Sequence, residues 1–169
     1  MGKISLGTTE IPNKISLGST LIQKVSMGLA DIWTGSIPFV TQGMDLATDF
    51  NLGVGSTYVK VPGWGARSGV AGTIVNDGLV MPTSETVDIV MYVLWNSSSA
   101  SSRKARVMKN GTTQLGEVVS SGTHGSLTLS LTSIPIANGD SLTVEGYSAG
   151  TASTRQINAT SYLVVAKSP

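Results

Sequence analysis

Turn-forming residues interrupt this chain so often that little room is left for a helix. From Thr57 onward, short segments alternate apolar and polar residues: Thr57–Val61, Val70–Val75, Leu79–Met81, Thr86–Trp95, Lys104–Lys109, Thr113–Val119, Ser126–Leu131, Ser141–Tyr147 and Ile157–Ala166. Between them lie Pro62-Gly63, Asn76-Asp77-Gly78, Asn110-Gly111, Gly122 and Asn138-Gly139-Asp140. A period of two is the signature of a strand, because successive side chains point to opposite faces. Asn-Gly between two such runs is a strong hairpin signal, since both residues tolerate positive φ. Pro135 stands just before a turn, where a strand loses nothing by lacking an N–H. Many short strands and no helical period predict an all-β fold, a β-sandwich or jelly roll. Charged residues make up only 12% of the chain, about half the usual share. A surface this poor in charge fits an obligate oligomer.

The first residues follow a different rule. Lys3-Ile4-Ser5-Leu6-Gly7 recurs as Lys14-Ile15-Ser16-Leu17-Gly18 and as Lys24-Val25-Ser26-Met27-Gly28. In each copy the apolar pair alternates with Lys and Ser, and a glycine supplies the turn. Each repeat reads as strand, turn, strand, with too few inward residues to stand alone. It must stack on its copies, on the rest of the chain or on another protein. Residues 1–34 are therefore expected to form a triple β repeat that serves for docking or attachment. Its contact residues would be Ile4, Leu6, Ile15, Leu17, Val25, Met27, Ile32 and the closing Trp33. Residues 35–56 read as a connector broken by Pro38, Gly43, Gly53 and Gly55, with one helical turn over Asp45–Asp49. Asp45 and Asp49, spaced i to i+4, are a candidate cation pair, although such pairs are more often a solvated face. Residues 57–169 are expected to be the jelly-roll head.

Little in the chain points to catalysis. There is no Cys, which excludes disulfides and thiolate chemistry. A single His124 in a turn-like loop does not make a zinc site. No Gly-x-Ser-x-Gly elbow occurs, and no carboxylate pair stands out. No enzyme, cofactor or metal is expected. A net charge of +1 gives no footprint for nucleic acid. No apolar stretch is long enough for a signal peptide or a membrane helix. Arg103, Lys104, Arg106 and Lys109 form the densest basic group. Alternation sends Lys104 and Arg106 to one face and Arg103 and Lys109 to the other. They read as solvated or salt-bridging positions. Trp64, between Pro62-Gly63 and Gly65-Ala66, is a candidate surface platform for a glycan.

Two strands carry apolar residues on both faces: Val87-Asp-Ile-Val-Met-Tyr-Val-Leu-Trp95 and Ser161-Tyr-Leu-Val-Val-Ala166. One face of each belongs to the core. The other is expected to meet a second subunit, and the candidate contacts are Met91, Val93, Trp95, Tyr162 and Val164. Asp88 reads as a strand-end or interface hydrogen-bonding group. The stretch NDGLVMPTSETVDIVMYVLWNSSSASSRKARVMKNGTTQL resembles complement-C1q/tumour-necrosis-factor-like jelly rolls, particularly those of tailed-bacteriophage virion proteins. The resemblance continues through Asn138-Gly-Asp-Ser-Leu-Thr-Val-Glu145 and Thr160-Ser-Tyr-Leu-Val-Val165, covering about residues 54–169. It departs at Glu85-Thr86-Val87, where the family commonly has a Gly-x-Tyr step. The triple repeat resembles modules of phage minor tail proteins. The resemblance implies a homotrimer in a virion: a minor tail protein attached to other virion proteins through its repeats, with a head that touches a host-surface glycan. The alternatives are a trimeric capsid decoration protein and a lectin-like carbohydrate-binding module.

Overall fold

The computed structural model describes residues 38–53, 57–96, 102–120, 125–149 and 155–169 in full, and the main chain of residues 15–17, 20–22, 24–27 and 30–34. No helix occurs among the described residues. The chain divides into two units, Met1–Pro38 and Phe39–Pro169.

The first unit contains two antiparallel hairpins. Strand β1 (Ile15–Leu17) pairs with β2 (Thr20–Ile22), and β3 (Lys24–Met27) pairs with β4 (Ala30–Thr34). Each hairpin spans one copy of the repeat, as the strand–turn–strand reading expects. The second is irregular: Val25 faces Trp33 while Ser26 faces Asp31, so Ile32 is the extra residue of a bulge. The first copy, with Ile4 and Leu6, lies outside the described residues.

The second unit is a two-sheet sandwich. Its strands are β5 (Gln42–Leu46), β6 (Phe50–Asn51), β7 (Val59–Lys60), β8 (Trp64–Ala66), β9 (Thr73–Val75), β10 (Gly78–Val80) and β11 (Glu85–Leu94). They continue with β12 (Arg103–Lys109), β13 (Thr113–Ser120), β14 (Ser126–Ile136), β15 (Ser141–Ser148), β16 (Gln156–Ile157) and β17 (Tyr162–Lys167). One sheet runs β14-β11-β17-β5-β8. The other runs β13-β12-β15-β10-β9, with β7 pairing on β15 beyond the end of β10. Strands β6 and β16 make a small separate ladder.

The hairpin turns form where the sequence places them. Asn76 and Asp77 (φ 49° and 58°) join β9 to β10, and Asn110 and Gly111 (φ 54° and 68°) join β12 to β13. Both pairs occupy the left-handed region that such tight turns need and that Asn, Asp and Gly tolerate.

The connector expected over residues 35–56 is not one. Gln42–Leu46 is a strand between β17 and β8, and Met44 and Leu46 are buried. Glycine hides this strand from a pattern search, yet the fold requires it there. A Cβ on Gly43 would lie 3.1 Å from the Arg67 side chain, and one on Gly72 would lie 2.4 Å from the Gly43 carbonyl oxygen. The helical turn expected over Asp45–Asp49 is likewise absent: Asp45 belongs to β5 and Asp49 to the loop after it.

The core lies between the sheets. From β11 it takes Val87, Ile89, Met91 and Val93, and from β17 Leu163 and Val165. The facing sheet supplies Leu79, Ala105, Val107, Leu142 and Val144. Trp95 closes one end at 2% exposure. This corrects the expected interface. Met91, Val93 and Trp95 point into the monomer's own core, and no surface of theirs is left for a second subunit. The run is apolar at both parities, and the opposite sheet takes the odd-numbered set.

Candidate functional site

The even-numbered set of β11 faces outward: Asp88, Val90, Tyr92 and Leu94 are half-buried while their neighbours are buried. On β17 the outward residues are Tyr162, Val164 and Ala166. The antiparallel register sets Val90 opposite Val164 and Tyr92 opposite Tyr162. The two tyrosine rings stack at 5.3 Å between centroids, with 21° between their planes. Arg67 extends the strip. Its guanidinium lies 4.4 Å from the Tyr162 ring centroid and pairs with Asp45 on β5. Across β14 the neighbours are small: Ser130 faces Val90, Thr128 faces Tyr92 and Ser126 faces Leu94. On the other side Gly43 faces Val164. The result is a flat apolar and aromatic strip bordered by short side chains, a shape against which a second flat surface can pack.

The lower end of the strip is polar. The Asp88 carboxylate accepts hydrogen bonds from the Ser168 hydroxyl (2.6 Å) and the Ser133 N–H (2.9 Å). The Ser168 hydroxyl first, and the Ser133 N–H second, hold its pKa below the usual carboxylate range. Ser133 has positive φ (57°) at the point where β14 slips register against β11. Asp88 thus holds a β-bulge in place, a strand-end role of the kind expected. Beside it Lys167 pairs with Glu85 at 2.7 Å.

Other candidates fall elsewhere. Trp64 is only 6% exposed and its indole N–H donates to the Val61 carbonyl (2.8 Å). It belongs to the core and cannot be a surface platform. Asp45 and Asp49 do not converge on a common point. Asp45 meets Arg67, while Asp49 accepts from the Asn96 amide (2.6 Å) and the Ala159 N–H (2.8 Å). His124 lies outside the described residues. Ile15, Leu17, Val25, Met27, Ile32 and Trp33 fall on or between the paired strands of the two hairpins.

The basic group splits as alternation predicts for its first members. Arg103 is fully buried with its guanidinium 5.5 Å from the Trp95 ring centroid, and burial pushes its pKa down. Lys104 and Arg106 face outward on the second sheet, over Tyr147 (5.3 Å) and Tyr58 (3.9 Å). Arg106 also pairs with Glu145 at 2.6 Å, and Lys109 with Asp140 at 3.7 Å. The Tyr58 hydroxyl donates to Glu117; burial first, and this bond second, push its pKa up.

The residues that sequence reasoning missed are Val90, Tyr92, Leu94 and Arg67. A signal for the first three was present. Asp88 shares their parity, and an ionised carboxylate without a charged partner is strongly disfavoured in a core. That parity therefore has to face outward.

Comparison with solved structures places the second unit among TNF-like jelly rolls. The Eiger TNF of S. frugiperda superposes with a TM-score of 0.54 at 14% identity, covering 79% of this chain and 94% of that one. Murine APRIL superposes with a TM-score of 0.56 at 14% identity, covering 76% of this chain and 98% of that one. At this identity the likeness is one of fold. No protein-family description matches the sequence, and no curated protein matches it.

Proposed function

We propose that this chain is a non-enzymatic structural protein of a tailed-phage virion. In this reading three copies of the jelly-roll head associate through the outward strip of the β14-β11-β17-β5-β8 sheet. The N-terminal repeats attach the trimer to other virion proteins of the tail. The observation that carries the assembly is the strip itself: Val90, Tyr92, Leu94, Tyr162 and Val164 lie together on the outward face of two paired central strands. A contiguous exposed apolar patch marks an interaction site. The low charge of the chain points the same way. Trimer in place of dimer, and virion in place of another setting, rest on the family resemblance.

Sedimentation velocity tests the assembly. Tyr92→Glu should convert the parent oligomer to a folded monomer, because a carboxylate in the closed interface has no partner. Thr113→Glu, on an exposed strand end of the other sheet, should leave it assembled. A parent that stays monomeric at micromolar concentration overturns the reading. Quantifying copies per particle then separates a tail protein, present in few copies, from a capsid decoration protein, present in many.

A further inference from the structure

A groove of about 560 Å³ lies on the sheet opposite the proposed interface. Strand β15 forms its floor, β7 and β10 its flank, and the β12–β13 and β14–β15 turns its rim. The volume falls within the range of small-ligand sites, about 300–1,000 Å³.

The groove's chemistry is mixed in a specific way. Lys60 and Glu145 are cross-strand partners, and both line the groove, one with an ammonium and one with a carboxylate. Ser141 and Thr143 put hydroxyls on the floor. Neither hydroxyl is tied by a hydrogen bond to another group among the described residues. Thr143 is 6% exposed as a whole, and what it exposes lines the groove. Val75 and Val80 supply the apolar part of the lining.

The walls are already braced. Lys60 donates to the Asn76 carbonyl, Glu145 is held by Arg106, and the Asn110 side chain bonds both Asp140 and the Ser141 N–H. Gly78 leaves room for the side chains of two floor residues. A Cβ there would lie 2.1 Å from the Ser141 hydroxyl oxygen and 3.1 Å from the Thr143 methyl. Binding groups held in place before a ligand arrives lose less freedom on binding.

We infer that this groove binds a neutral saccharide, one or two sugar rings at the end of a glycan. Each hydroxyl of a sugar both donates and accepts, which suits a carboxylate, an ammonium and free hydroxyls within one site. The two valines suit a C–H face. A simple anion would meet the Glu145 carboxylate, a simple cation the Lys60 ammonium, and an apolar ligand would desolvate all four polar groups. The site is contained within one subunit. Only its multivalency rests on the trimer reading: the groove lies on the sheet away from the proposed interface, so three copies would stay open together.

The test is a nuclear magnetic resonance titration of the full chain with methyl glycosides of glucose, galactose, rhamnose, N-acetylglucosamine and N-acetylgalactosamine at millimolar concentration. Inorganic phosphate serves as the anion probe. At least one glycoside should give saturable shifts centred on Thr143, Ser141 and Lys60. Thr143→Val keeps the side-chain shape and a good strand former, and should weaken that glycoside by about tenfold. Lys60→Met should also weaken it, and both variants should keep the parent melting temperature. Tyr92→Glu should bind the free glycoside as the parent does, yet lose retention on a surface coated with it. Loss of the avidity difference alone would refute the trimer and leave the groove standing. The saccharide assignment is overturned if no glycoside saturates, if the shifts centre elsewhere, if Thr143→Val binds as the parent does, or if phosphate alone occupies the groove.

Discussion

Removing the residues before Thr57 should destroy the jelly roll, whereas removing those before Phe39 should not. The segment between these two points contributes β5, which lies between β17 and β8. It buries Met44, Leu46 and Leu52 at 0%, 2% and 8% exposure. Burying each such side chain is worth about 1.5–3 kcal/mol, or roughly 5–9 kcal/mol for the three. A whole domain is stable by only about 5–15 kcal/mol. The truncation would also strip β17 of its partners at Gln42, Gly43, Met44 and Asp45, and leave its edge open along the face that carries Val164. Asn96 and the Ala159 N–H would lose Asp49. At roughly 4 °C per kcal/mol for a domain of this size, the fragment 57–169 should show no cooperative transition. The fragment 39–169 should melt as the full chain does. Circular dichroism melts of the three chains make the comparison. If 57–169 unfolds cooperatively within a few degrees of 39–169, β5 contributes little and the burial argument is wrong.

Gly72→Ala should destabilise the jelly roll by about 1–3 kcal/mol, because its Cβ would meet a main-chain oxygen that cannot swing aside, whereas Gly65→Ala, with open space around it, should be tolerated in the same denaturant titration. Arg106→Ala should cost about 1–3 kcal/mol by urea unfolding, since it leaves the half-buried Glu145 carboxylate without its partner and uncovers the Tyr58 ring. The carboxyls of Asp88 and Asp140 have folded pKa values below their unfolded ones. For Asp88 the cause is the Ser168 hydroxyl and then the Ser133 N–H; for Asp140 it is the Ala137 N–H and then the Asn110 amide. The stability they confer is complete above the unfolded value of about 3.9 and is lost as pH falls through the folded values. The melting temperature should therefore hold from neutrality to about pH 4 and drop below it, with a shallower drop in Asp88→Asn.

Local chemistry decided a good deal here without help from the fold. Strand positions from β10 to β15 follow from period-two alternation, and the turns at Asn76-Asp77 and Asn110-Gly111 follow from residues that accept positive φ. These are short-range properties of the backbone and can be read along the chain. The hairpins of the second and third repeats are legible for the same reason. Long-range pairing decided the rest. Gln42–Leu46 has too little alternation to declare itself, and becomes a strand because β17 and β8 offer it two ladders. Trp64 reads as exposed beside its glycines, yet the sandwich end folds over it. In β11 both parities are rich in apolar residues, and the odd-numbered set packs against Leu142 and Val144 of the facing sheet. Asp88 alone carried that choice of parity in the sequence, through the cost of burying a charge. The groove had no sequence signature at all. Lys60, Asn76, Asn110, Thr143 and Glu145 come from separate strands and turns, and only sheet register brings them to one place. Alternation determines which residues of a strand share a face; the partner across the sandwich determines which face is hidden, and so which side chains remain to act.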